Sequence, residues 1–134
     1  MGSRLDEVLD DIRGRHDFTA VLVVSDDGLV LGHSGDLAQA GQGAAAFIPD
    51  LIAMSERVGK YADFGEMAMA SLVFERPTRM VVARKVEATT TKQQIFLVVD
   101  TAKTFPGLGG EVKRLGQEII QVVTMATGGA KNDE

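Results

Sequence analysis

The chain has no cysteine among its 134 residues. Disulfides and thiolate metal sites are therefore excluded, and a reducing compartment fits. Positive charge is short as well: 14 Lys and Arg stand against 19 Asp and Glu, a net charge of −5. A protein that follows a nucleic-acid backbone needs a basic stripe, so that class is disfavoured. No apolar run approaches the ~20 residues of a membrane-spanning helix. The opening Met1-Gly2-Ser3-Arg4-Leu5-Asp6 is polar and acidic, unlike a signal peptide, and has no Ser or Thr at the sixth position for myristoylation. The expectation is a cytoplasmic protein. Catalytic signatures are missing too: there is no P-loop, no His-Glu-x-x-His and no nucleophile elbow. No catalytic residue, cofactor or metal is expected.

What is present is a clear order of elements. The length fits one domain, over residues 1–127, with a polar tail from 128 to 134. Leu5, Val8, Leu9 and Ile12 recur at helical spacing, with Ser3 as N-cap and Gly14 ending the pattern. Phe18 to Val24 is a β-prone run. Ser25-Asp26-Asp27-Gly28 makes a hairpin turn, because glycine takes a positive φ without a Cβ clash, and Leu29 to Leu31 returns as a second strand. From Gln39 to Lys60 the spacing is helical. Phe47, Leu51, Met54 and Val58 form one apolar row and Ala44, Ile48, Ile52 and Ser55 the next. Pro49 within this stretch must kink the helix or start a new one. Three strands follow, at 66–75, 78–86 and 93–99, and Val112, Leu115, Ile119, Val122 and Val123 mark a closing helix.

Val21 to Val24, Met80 to Ala83 and Ile95 to Val99 are apolar on both faces and need cover above and below. The second and third strands are the better sheet edges. The order 2-1-5-4-3 satisfies this, with the single crossover carried by the long helix. The expected fold is α/β (α+β), a three-layer α/β/α sandwich on a five-stranded antiparallel sheet, with the element order αββαβββα.

Other signals are weak. Gly107-Leu108-Gly109-Gly110 fails as a dinucleotide fingerprint, since Val112 stands at the last glycine position, and reads as a helix entrance. Asp26 and Asp27 read as turn residues rather than metal ligands. His16 and His33 read as solvated, and so do Arg84-Lys85 and Thr89-Thr90-Thr91. The long helix has one feature that core packing leaves over. Gln39, Ala46, Ala53 and Lys60 repeat every seven residues, and small side chains let another helix approach closely.

With Ala20 to Val30, the Ala-rich helix 44–60, the three strands and Leu115-Gly116, the chain resembles the roadblock/dynein light-chain family, above all its prokaryotic MglB-like members, partners of small Ras-like GTPases. The resemblance covers about residues 5–123. It implies a homodimer in which third strands pair across a two-fold axis and long helices lie side by side. The expected dimer residues are Met67, Met69, Ala70, Ser71, Val73, Ala46 and Ala53. It also implies a non-enzymatic regulator that binds a small Ras-like GTPase, and the docking surface is expected at Gln42, Asp50, Met54, Arg57 and Lys60. The alternatives are a scaffold subunit without effect on hydrolysis and a small-ligand sensor. No nucleic-acid partner and no membrane insertion are expected.

Overall fold

A computed structural model describes residues 4–35, 43–75, 78–86, 94–103 and 105–132, with the side chains of the last helix described through Val123. Its elements are α1 (Arg4–His16), β1 (Ala20–Ser25), β2 (Val30–Gly35), α2 (Ile48–Tyr61), β3 (Ala70–Glu75), β4 (Thr78–Val86), β5 (Ile95–Thr101) and α3 (Leu108–Asn132). The strands form one antiparallel sheet in the order β2-β1-β5-β4-β3, as the apolar central strands required.

Side chains alternate across each strand, so every central strand feeds two cores. Val21, Val23, Val82, Leu97 and Val99 face Leu9 and Ile12 of α1 and Val112, Leu115 and Ile119 of α3. Ala20, Leu22, Val24, Ala83, Phe96 and Val98 face Ile48 and Ile52 of α2. The result is the expected three layers. The hairpin turn is closed by Gly28 N–H donating to Ser25 O at 3.0 Å and Leu29 N–H donating to Ser25 Oγ at 3.1 Å. Gly28 has φ +83°, and a Cβ there would stand 2.9 Å from Ala46 Cα, so the turn also seats the approach to α2.

Several boundaries differ from the sequence reading. α1 runs on to His16, and Ser3 lies outside the described residues. β2 extends to Gly35, so His33 is a strand residue. The helix read from Gln39 is divided: residues 43–45 are helical, a turn follows at Ala46-Phe47, and α2 starts at Ile48 with Pro49 in its first turn. Proline is at home there because that N–H has no helical acceptor. β3 begins at Ala70 rather than Glu66. α3 continues through Gly128 and Gly129 to Asn132, where a polar tail was expected. Arg76-Pro77 and Thr89-Thr90-Thr91 lie outside the described residues.

The packing of α2 differs most. Of Phe47, Ile48, Leu51 and Ile52, expected to pack on the sheet, Ile48 and Ile52 do so together with Ala45, while Leu51 is half-buried and Phe47 is exposed. At about 100° per residue, the core arc and the Phe47 row are neighbouring sectors of one helix, and the sheet covers only the first.

Candidate functional site

The surface of α2 divides into three sectors. Ile48 and Ile52 face the sheet, and Gly59 on the same arc is buried against Gly65. The next sector carries Phe47, Leu51, Met54, Val58 and Tyr61, spaced four, three, four and three residues apart. Such spacing makes a single seam along a helix, the geometry of helix-to-helix contact. Four of the five are mostly exposed: Phe47 at 69%, Met54 at 61%, Val58 at 56% and Tyr61 at 92%. The third sector holds Asp50, Ala53, Arg57 and Lys60, all exposed, and Ala46 is an exposed residue of the turn before α2.

The edge strand β3 continues the apolar surface. Leu72, Val73 and Phe74 are all exposed. Leu72 lies opposite Val81, and Ala70 opposite Ala83, on the face that α2 covers. Phe74 shares that face by alternation. Val73 opposes Met80, and Ser71 opposes Val82, on the other face. β3 pairs with β4 along one side and, among the described residues, with no strand along the other. An open, regular strand edge beside an apolar helix seam is an unusual amount of unpartnered surface for one small domain.

Near Phe74, the Arg79 guanidinium grips Asp100. Nε donates to Oδ1 at 2.8 Å, and an Nη donates to Oδ2. Asp100 is buried while Arg79 is half in solvent. The hydrogen bond and the charge of Asp100 raise the pKa of Arg79 above its usual value. On the far side of the sheet, Arg114 bonds Glu111 and Glu118, and Arg15 bonds Asp11 and Glu118, tying α1 to α3. The Arg114 hydrogen bond holds Glu111 below the ordinary carboxylate range.

A groove of about 760 Å³ lies beyond the end of β4, between the C-terminal half of α2 and α3. Its walls include Lys60, Asp63, Glu66, Arg84, Lys85 and Lys113. The space directly beneath α2 is filled by Ile48 and Ile52 against the sheet and leaves no room there for a small ligand.

The dimer residues read from the sequence are spread over several places. Ser71 and Val73 lie on the exposed edge strand, and Ala70 is half-buried at its start. Met67 and Met69 precede the strand and pack on opposite cores of their own protomer. Ala53 shares the polar sector of α2 with Asp50, Arg57 and Lys60, and Ala46 lies exposed in the turn before the helix. Met54, read as a GTPase contact, belongs to the apolar seam, and Gln42 lies outside the described residues. Phe47, Val58, Tyr61, Leu72 and Phe74 are exposed apolar residues that the sequence pattern did not single out as surface. The four-three spacing was the available signal, but spacing alone does not tell which apolar row meets the sheet.

Other candidates fall into ordinary roles. Asp26 and Asp27 are exposed turn residues, and no cluster of three metal-ligating side chains occurs among the described residues. Gly107, at φ +84°, accepts from Glu111 N–H through its carbonyl and opens α3 as a plain helix entrance. Lys85 pairs with Glu56 at 3.2 Å. His33 is exposed, as expected. His16 is not solvated: it stacks on Phe18 and Phe105, with centroids 5.0 and 6.0 Å away, and its Nε2 lies 3.3 Å from Glu111 Oε1. Among the described residues no helix is long and apolar enough to cross a membrane.

No protein-family model matches the chain, and no curated protein matches its sequence. Solved structures do. MglB of Myxococcus xanthus superposes with a TM-score of 0.71 at 14% identity, over 90% of this chain and 95% of that one. A roadblock/LC7 domain from Streptomyces avermitilis gives 0.70 at 17% identity, over 91% and 99%. An MglB with a tetrameric arrangement gives 0.69 at 16% identity, over 89% and 87%. The sheet order, the crossover through α2 and these near end-to-end superpositions agree, and the chain has the roadblock/LC7 fold.

Proposed function

We propose that this chain is a non-catalytic regulator or adaptor of the roadblock type, which forms a homodimer and engages a small Ras-like GTPase. The observation that carries the reading is the apolar seam of α2 lying on the same face of the sheet as Leu72 and Phe74, beside the open edge of β3. A second copy related by a two-fold axis meets all three needs at once. It pairs the free strand edge, covers the seam with an identical seam, and leaves the polar sector of each α2 facing outward. Asp50, Arg57 and Lys60 then form the partner surface. Ala46 and Ala53 belong with them as small residues that let a partner come close. A GTPase regulator without its own catalytic group acts by binding one switch conformation better than another, which needs a surface and no reactive side chain.

The ligand-sensor reading has the groove between α2 and α3 in its favour, but its lining mixes cations and carboxylates without a convergent set. The test has two arms. Sedimentation of the unmodified protein at micromolar concentration is expected to give a dimer, and a monomer refutes the dimer reading. GTP hydrolysis by the cognate GTPase, with and without this protein, is expected to change. Binding without a change in rate makes the chain a scaffold, and no binding removes the GTPase from the proposal.

A further inference from the structure

The two edges of the sheet are built differently. β3 is regular over six paired positions and exposes Leu72, Val73 and Phe74. β2 is blunted in three ways. Its register against β1 breaks between Val23 and Val24, so that Gly32 pairs with Val23 and Val30 with Val24, leaving Leu31 as a bulged residue. α1 is laid over it: Leu5 comes so close that a Cβ on Gly32 would stand 2.8 Å from its side chain. Ser34 donates to Asp10 Oδ1 at 2.5 Å and accepts from Arg13 Nε at 2.8 Å. The third device is the most specific. His33 N–H donates to Asp6 Oδ1 at 3.0 Å. His33 pairs with Leu22 in register, and its amide donates away from β1 to the helix. A strand arriving at this edge would need that donor, and a carboxylate already holds it.

We infer that α1, through Asp6, seals the β2 edge and so limits self-assembly to a closed pair of protomers joined at β3. This rests on the dimer reading above. The physics is one of closure. Like-to-like pairing of β3 edges uses up both edges and stops. Pairing of β3 with β2 would be head-to-tail and would repeat without end. β3 carries a single charge, Glu75 at its end, and is otherwise open from Ala70 to Phe74, so the β2 edge is the one that must refuse a strand. A bulge, a covering helix and an inserted carboxylate are each means of refusing a strand, and β2 has all three.

The experiment compares the unmodified protein with Asp6→Ala, Asp6→Asn and the double variant Asp6→Ala/His33→Pro, by sedimentation across a concentration series. The unmodified protein and Asp6→Asn, which keeps a carbonyl acceptor, are expected to level off at twice the 14.3 kDa protomer. Asp6→Ala is expected to rise past that mass as concentration increases. His33→Pro removes the amide donor itself, so the double variant is expected to return to the dimer. A folded Asp6→Ala protein that stays a dimer throughout overturns the inference and leaves the dimer reading standing. An unmodified protein that is monomeric overturns the dimer reading instead. A measurement independent of variant folding is amide exchange at His33 in the unmodified protein. Slow exchange supports the seal, and exchange at the rate of an unstructured chain refutes it.

Discussion

Met54→Glu separates association from folding more cleanly than any other change on α2. Met54 sits mid-helix and is 61% exposed. Methionine and glutamate have nearly equal helix propensity, and a mid-helix charge is remote from the helix ends. The folded protomer should therefore change by no more than about 0.5 kcal/mol. The dimer should change far more. Fully burying a methionine is worth about 1.5–3 kcal/mol, and the exposed portion of Met54 accounts for roughly 1–2 of that. A two-fold interface contains the position twice, so the lost apolar contact alone comes to about 2–4 kcal/mol. At 1.4 kcal/mol per decade, the dissociation constant should rise from about 30-fold to nearly 1,000-fold. Desolvating two facing carboxylates can only add to this. The assay is sedimentation equilibrium for the dissociation constant, paired with a thermal melt at a concentration where both proteins are monomeric. Equal melts with a dissociation constant shifted by at least an order of magnitude are expected. An unchanged dissociation constant would refute the placement of the seam in the interface. If GTPase binding were lost at the same time, Met54 would return to the partner surface.

Arg57→Glu and Asp50→Lys change only the polar sector of α2, so both should weaken binding to the cognate GTPase, leaving the dimer and the melt unaltered. Unchanged affinity in both would move the docking surface elsewhere. Gly35→Ala should destabilise the fold by more than about 2 kcal/mol, read by urea unfolding. The residue has φ +98°, and a Cβ would fall 2.3 Å from Thr19 O. Glu111 has a lowered folded-state pKa, because Arg114 bonds its carboxylate. Its contribution is therefore fully present above the unfolded value near 4.5 and is lost as pH falls through the folded value. Melting followed from pH 6 down to acid should show a smaller loss in Glu111→Gln than in the unmodified protein.

The sheet was legible because its three central strands, apolar on both faces, leave little choice of order. Pro49 also had a definite meaning, and the structure takes the second of its two options, a helix start. The orientation of α2 was not legible. Two adjacent apolar rows fit a core helix equally well on spacing, and the choice between them depends on the crossover geometry. That geometry is set by tertiary contacts such as Gly28 against Ala46 and Lys85 with Glu56. The extent of β3 failed for a related reason. Met67 and Met69 alternate like strand residues, yet each reaches a different core before Ala70 joins the ladder. His16 was misjudged because its stacking partner Phe105 is far away in the chain.

The Arg79–Asp100 pair bears on how the sheet finds its alignment during folding. β4 and β5 are both apolar on both faces, so burial alone hardly distinguishes one register from its neighbours. A slip of one residue would turn Asp100 toward the valines beneath α1 and α3, leaving a charge without a counterion. A slip of two would keep the face but carry the carboxylate about 7 Å from the guanidinium. Only the native alignment lets both ends of Arg79 meet Asp100. An ion pair with one partner buried and the other half in solvent, like this one, adds little net stability over a well-packed apolar pair. Here its value is that of a key cut for one lock: it makes the misaligned sheets expensive and leaves the native sheet about as stable as it would otherwise be.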